Sequence, residues 1–362
     1  MRRIAVLATT VTLLTSAAFV AGCTSERAEP ATSGEPAPAS PQPAVTATAE
    51  PGKPRVLVKG RKLTWGLAFL PDGAALMTER ESAKVLRVTT EGKVTEIGKV
   101  PGVKPSGEGG LLGIAVSPGF QNDKYVYVYF TASKDNRVAR FRYDGTIGKP
   151  QILVTGIPKG GNHNGGRLAF GPDGMLYAST GETGHGDLSQ DKKSLGGKIL
   201  RMTPEGKPAP GNPFDSLVWT YGHRNVQGLA WDPSGRMFAT EFGQDRFDEI
   251  NQIVKGRNYG WPDVEGDDGD PTKYKRPLLT WMPSEASPSG LAYAQGSLWA
   301  AALRGERLWQ VPLTRTGVSR PIAHFKGEYG RIRSVTPAPD GKSLWLTTDN
   351  DDNDGIIVVP LS

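Results

Sequence analysis

Six times along the chain an apolar run breaks at a turn rich in Pro or Gly and resumes as a second apolar run. The copies begin at Leu67 (LAFLPDGAALMTE), Ile114 (IAVSPGFQNDKYVYVYF), Leu168 (LAFGPDGMLYAST), Leu229 (LAWDPSGRMFATE), Leu291 (LAYAQGSLWAAA) and Val335 (VTPAPDGKSLWLTT). Short runs rich in branched and aromatic residues on either side of turn formers read as β-hairpins. Recurrence every 40–60 residues or so marks a repeat architecture.

A third strand-like run follows each hairpin: Val85 to Thr89, Val138 to Tyr143, Ile199 to Met202, Ile250 to Val254, Leu308 to Pro312 and Ile356 to Pro360. With a less regular outer strand, each unit has four strands, the make-up of a propeller blade. The expected fold is therefore all-β, a six-bladed β-propeller over residues 55–362. A β-sandwich has no reason to repeat one hairpin in register. The last run, GIIVVPLS, reaches the C-terminus, so the ring is expected to close when it or a neighbour pairs with Arg55 to Val58. Closure hides strand edges that otherwise template aggregation.

The N-terminus carries two arginines, an apolar stretch and then small residues, which reads as a secretory signal over residues 1–22. Val20-Ala21-Gly22-Cys23 resembles a bacterial lipobox, and Cys23 is the sole cysteine, so no intramolecular disulfide forms. Lipidation of Cys23 would leave an exported protein anchored on the outer face of the cytoplasmic membrane. Residues 23–54, rich in Pro, Ala and Thr, bury too little apolar surface to fold and are expected to act as a tether. The formal charge of +6 falls by two on removal of Arg2 and Arg3, and the remaining excess is scattered. With no basic run interleaved with aromatics, nucleic acid is excluded as a partner.

Loops entering the innermost strand of each blade converge on one face around the axis, so residues preceding each hairpin by a similar interval should meet. They include Glu108 in GEGGLL, Asn162, His163 and Arg167 in NHNGGR, His223, Arg224 and Asn225 in GHRNVQ, and Arg331 and Arg333 in RIR. Arg304 follows the hairpin of its own blade. Each has a bland alternative: His163 as a turn residue, His223 as a strand cap, Glu108 as a neutralising partner for Arg331 or Arg333. Independent surface residues, however, have no reason to share a register across blades. The expected constellation is one carboxylate, one or two imidazoles and several guanidiniums. Clustered arginines suit a polyanionic ligand, and an imidazole suits a general base. A nucleophile elbow, His-rich metal spacing and a dinucleotide glycine fingerprint are all missing.

From about Thr64 to Thr348, the motifs GEGGLLGIAVSPGF, HNGGRLAFGPDGMLY, YGHRNVQGLAWDP, EFGQDRFDEINQIVKGRNYGWP and RIRSV resemble the soluble quinoprotein sugar dehydrogenases, including glucose/sorbosone and aldose sugar dehydrogenases. The resemblance implies a propeller that holds pyrroloquinoline quinone (PQQ), a tricarboxylic quinone, together with Ca²⁺, and oxidises aldose sugars for an external electron acceptor. It implies His163 as the base and Arg224 and Asn225 as cofactor contacts. Arg331 and Arg333 match the carboxylate-binding pair. Arg304 stands where the family can have lysine. Gly243 and Gln244 match positions whose carbonyls bind the cofactor calcium, and Glu249 and Tyr259 match a structural calcium site, with Asp267, Asp268 or Asp270 as completions. Glu108 and Asn162 fall where the sugar would be touched, at positions where the glucose enzymes can carry Gln and Asp. With short loops between blades, this implies an open, less selective sugar pocket. Two other readings stay open: a Ca²⁺-dependent lactonase using Glu108, Asn162 and Asn225 as axial ligands, and a non-catalytic recognition propeller.

Overall fold

The computed structural model describes residues 49–362, so Cys23, the signal segment and most of the tether lie outside the described residues. Six four-stranded antiparallel sheets form the six blades of a β-propeller. The innermost strands are Thr64–Phe69, Leu111–Val116, Leu168–Phe170, Val226–Trp231, Pro288–Ala294 and Ile332–Pro337, each carrying the start of one repeat. Five of these six have a register shift near their start, just ahead of the apolar run. Such bulges twist the strand and redirect side chains, and they recur beside active sites. The outer strands are the least regular, shrinking to three residues in Leu279–Trp281 and Ile322–His324.

The apolar core lies between blades. Six buried clusters join neighbouring sheets: Leu76, Val85 and Phe141 with Leu111 in one, Val58, Trp345 and Ile356 with Leu67 and Met77 in the one that closes the ring. Hydroxyls at the ends of second strands add polar ties to the next blade. Thr78 Oγ1 donates to the Leu112 carbonyl (2.6 Å), Ser179 Oγ to Val226 (2.7 Å) and Thr240 Oγ1 to Ser289 (2.6 Å). Buried hydroxyls satisfied in this way fix one blade on the next, which apolar packing alone does less sharply.

The ring closes as the C-terminal run implied. Arg55–Arg61 pairs antiparallel with Asp354–Pro360, placing the first strand of the propeller at the outer edge of the last blade. The tether boundary requires correction, because residues 49–54 already belong to the propeller. Ala49 is buried, its carbonyl accepts Gln310 Nε2 (2.9 Å), and Glu50 and Ser362 exchange backbone hydrogen bonds of 3.1 Å. Composition alone could not reveal this, since the contacts are main-chain bonds to the far end of the chain. A chain starting at Arg61 would lack the closing strand and expose the edge of Asp354–Pro360. It is expected to aggregate on refolding, whereas one starting at Ala49 should unfold in a single cooperative transition by circular dichroism.

Candidate active site

A cavity of about 550 Å³ opens at the axis where the entering loops meet. Its lining includes Glu108, His163, Arg224, Gly243, Gln244, Arg304, Arg331 and Arg333. The cavity thus brings together eight of the positions singled out in the sequence, Gly243 and Gln244 through the family resemblance alone. Asn162 and Asn225 are not in the lining. Asn162 is exposed, whereas Asn225 is buried beneath the His163 loop, where its Oδ1 accepts the Gly165 N–H (3.0 Å). Its Nδ2 is buried without a partner among the described residues.

Local chemistry sets the His163 loop. Asn164 is clamped by Asn136 Nδ2 (3.0 Å) and donates to the Gly160 carbonyl (2.9 Å), while Tyr129 Oη donates to its backbone carbonyl (3.0 Å). His163 itself takes φ +50°, and a Cβ on Gly181 would come 1.8 Å from its carbonyl oxygen. Glycine at 181 is what permits this approach. The His163 N–H donates to Glu108 (2.9 Å), and its Nδ1 hydrogen-bonds Glu182. Burial opposes charge on Glu182, but the His163 hydrogen bond, the Gly184 N–H and the charge of Arg224 hold its carboxyl below the usual value. An ionised Glu182 accepts from Nδ1–H, fixing the tautomer that leaves Nε2 with its lone pair.

Glu182 was not foreseen from the sequence, although a signal exists. Four second strands run out into a carboxylate in similar register, giving Glu79 (MTE), Glu182 (STGE), Glu241 (ATE) and Asp349 (TTD). Each organises cations or N–H groups at the rim. Glu241 accepts His223 Nδ1 (2.8 Å) and the Arg224 N–H (2.5 Å). His223 is therefore a buried structural residue, stacked on Tyr259 at 4.5 Å, and only one imidazole faces the cavity.

The guanidiniums surround that imidazole. Arg224 donates to the Gly243 carbonyl (2.7 Å), and its Nε is buried without a partner among the described residues. Arg333 pairs with Asp349 and donates to Gln227 (2.8 Å), and Arg331 lies 3.9 Å from the same carboxylate. Asp349, rather than Glu108, is thus the neutralising partner of the RIR pair. Burial works against its charge, but Arg333, Arg80 and Arg331 together keep the carboxyl below its ordinary value. Arg80, also unforeseen, lines the cavity, and its buried Nε has no partner among the described residues. Five arginines line the cavity, and three of them, Arg80, Arg224 and Arg333, have a buried Nε–H unmatched among the described residues, which fits a ligand bearing several carboxylates.

The two sets of positions that the resemblance implies for calcium differ in their surroundings. Gly243 and Gln244 lie on a cavity-lining turn in which Glu265 Oε1 accepts four successive N–H groups, from Gln244 to Phe247, at 2.7–3.1 Å. Gathering the N–H groups on one side frees carbonyls for a cation, and the Gly243 carbonyl already accepts one from Arg224. Asp248 completes this wall by accepting the Gly243 and Ser287 N–H groups (3.0 and 2.6 Å), and burial pushes its carboxyl up to about 6. Glu249 and Tyr259 share a small separate recess with Glu241 and Glu265. There Glu249 accepts Asn251 Nδ2 and the Gly266 N–H, both at 2.8 Å, and burial beside Glu241 raises its carboxyl. Of the suggested completions, Asp268 pairs with Arg246 (2.9 Å) and Asp270 caps Thr272 (2.9 Å), so neither reaches the recess. Among the described residues, no group of three or more His, Cys, Asp or Glu is arranged to hold a metal ion.

The family model for glucose/sorbosone dehydrogenases matches residues 61–358. The chain belongs to this family. Among the relatives of this family member, quinoprotein glucose dehydrogenase B of Acinetobacter calcoaceticus is 36% identical over 249 residues, which is 58% of the chain but only 51% of that enzyme. The chain thus spans about half the length of that relative. Aldose sugar dehydrogenase YliI of Escherichia coli is 30% identical over 82% of the chain and 90% of its own length. The solved PQQ-bound aldose sugar dehydrogenase of Streptomyces coelicolor is 53% identical, covers 86% of this family member and 98% of itself, and superposes with a TM-score of 0.82.

Proposed function

We propose that this glucose/sorbosone dehydrogenase family member oxidises aldose sugars at the anomeric carbon to lactones, using PQQ and Ca²⁺ and passing electrons to an external acceptor. The observation that carries this reading is the His163–Glu182 pair facing a ring of arginines across one cavity. His163, held by Glu182 in the Nδ1–H tautomer, takes the proton of the anomeric hydroxyl at Nε2. Glu108, beside the base, accepts hydrogen bonds from sugar hydroxyls. Arg331, Arg333 and Arg304 hold carboxylates. Arg224 presents fixed positive charge where negative charge develops. The quinone, when bound, supplies the two-electron acceptor that takes up the anomeric hydrogen as hydride. Calcium on the Gly243 and Gln244 carbonyls would act as a Lewis acid there, an oxygen set that suits a hard cation.

Export and a lipid anchor at Cys23 complete the proposal, and they rest on the N-terminal sequence alone. The lactonase alternative lacks support in the geometry. It needs Glu108, Asn162 and Asn225 to meet on the axis, yet only Glu108 lines the cavity. The deciding assay adds PQQ and Ca²⁺ to purified apo-protein and follows dye reduction with a panel of aldoses. Activity requiring both additions, spread over several sugars, is the expected result. Lactone hydrolysis without quinone would overturn the reading, and strict preference for one hexose would refute the open sugar pocket.

A further inference from the structure

Below the cavity floor, the inner strands carry one position that differs in kind between blades. Aligned on the residue before each repeat start, it is Gly66, Gly113, Gly228 and Gly290 in four blades and Ser334 in another. At these points neighbouring blades touch through backbone. An added Cβ would come 2.9 Å from the Leu112 carbonyl oxygen at Gly66, 2.2 Å from that of Gly166 at Gly113, and 2.5 Å from that of Ser289 at Gly228. This is the waist of the propeller, too tight for side chains in most blades. In the remaining blade the residue is Arg167.

Arg167 crosses this waist beneath Trp65, its guanidinium carbon 4.3 Å from the ring centroid. Its Nε donates to the Gln227 carbonyl (2.7 Å) and its Nη1 to Ser334 Oγ (2.9 Å). Arg333 reaches the same Gln227 through Oε1 and the neighbouring Ser289 hydroxyl. Two guanidiniums therefore share one small polar shell, and the only carboxylate among their partners, Asp349, is on the Arg333 side. Arg167 Nη2 and Arg333 Nε are both buried without a hydrogen-bond partner among the described residues. Burial, reinforced by the like charge of Arg333, pulls the Arg167 guanidinium down to about 9. A buried cation left without a counter-charge costs several kcal/mol, roughly, and natural structures seldom leave one so.

We infer that the waist of the propeller is a small-anion site, in which a halide ion sits between Arg167 Nη2 and Arg333 Nε. The close backbone approaches favour a monatomic ion over a carboxylate or phosphate, and two buried N–H groups on separate guanidiniums supply the affinity. Trp65, Gln227 and Arg333 also line the main cavity, so the site adjoins the floor of that cavity and the test is made without added quinone.

The test uses the purified full chain in potassium chloride, bromide or methanesulfonate at equal ionic strength. Halide is expected to raise the unfolding midpoint saturably by about 2–4 °C, and Arg167→Gln should abolish that increment. Because Arg167→Gln can fail for reasons of folding, bromide anomalous scattering from wild-type crystals gives an independent readout, with a peak expected between Arg167 and Arg333. Equal midpoints in all three salts, a halide effect that persists in Arg167→Gln, or a bromide map without a peak there would each overturn the inference. Arg167 would then be a plug of the waist and nothing more.

Discussion

Replacing His163 with Gln is expected to lower kcat for aldose oxidation about 10²–10⁴-fold, the range over which a positioned general base contributes. Quinone affinity should be largely retained, because the arginines rather than the imidazole hold carboxylates. Steady-state dye reduction and a separate equilibrium titration of the quinone distinguish these effects, and unchanged turnover would remove His163 from the chemistry. Glu182→Gln keeps the side-chain shape but no longer enforces Nδ1–H, so kcat should fall by less than in His163→Gln, with little change in KM. Gly181→Ala addresses the same device through the backbone. Its Cβ would lie 1.8 Å from the His163 carbonyl oxygen, so the base must move, and kcat should fall although no reacting group is altered.

Arg333→Gln should produce two losses at once. Removing a charge-assisted contact costs about 1.5–3 kcal/mol, which weakens quinone binding roughly 10- to 100-fold. It also leaves Asp349, a buried carboxylate, without its hydrogen-bonded partner, its remaining cationic neighbours being Arg80 and, at 3.9 Å, Arg331. Breaking such a pair costs about 3 kcal/mol, or roughly 5–10 °C in Tm for a domain of this size. The sign with pH follows from the depressed carboxyl of Asp349. Its stabilisation is fully present above the ordinary value of 3.8 and is lost as pH falls through the lower folded-state value. The variant should therefore be least disadvantaged in acid. Adding Asp349→Asn to Arg333→Gln should recover part of the lost Tm without recovering quinone affinity. Strictly additive destabilisation in the double mutant would show that the pair is not coupled.

Much of this architecture was legible because a propeller is built from local pattern. Period-two apolar runs around Pro-Asp-Gly and related turns specify hairpins, and six of them in series specify a ring. Position within the repeat then located Glu108, His163, Arg224, Arg331 and Arg333 correctly at the axis. The same ruler overreached at Asn225, whose loop enters the face as expected but whose side chain turns under Gly165. At His223 it read a candidate imidazole where Glu241 and Thr220 hold a buried strut. A register position specifies where a Cα lies, whereas the direction of a side chain depends on which buried polar group needs a partner.

By itself, then, the sequence determined the number of blades, the family and which loops bear the polar residues, all consequences of periodicity and motif order along one dimension. Only the tertiary structure decided that Glu182 orients His163, that Asp349 gathers three arginines, that residues 49–54 belong to the ring and that Arg167 fills its waist. Those choices depend on desolvation. A carboxylate or guanidinium removed from water must be matched by whatever group lies nearest in space, and that group comes from another strand or another blade.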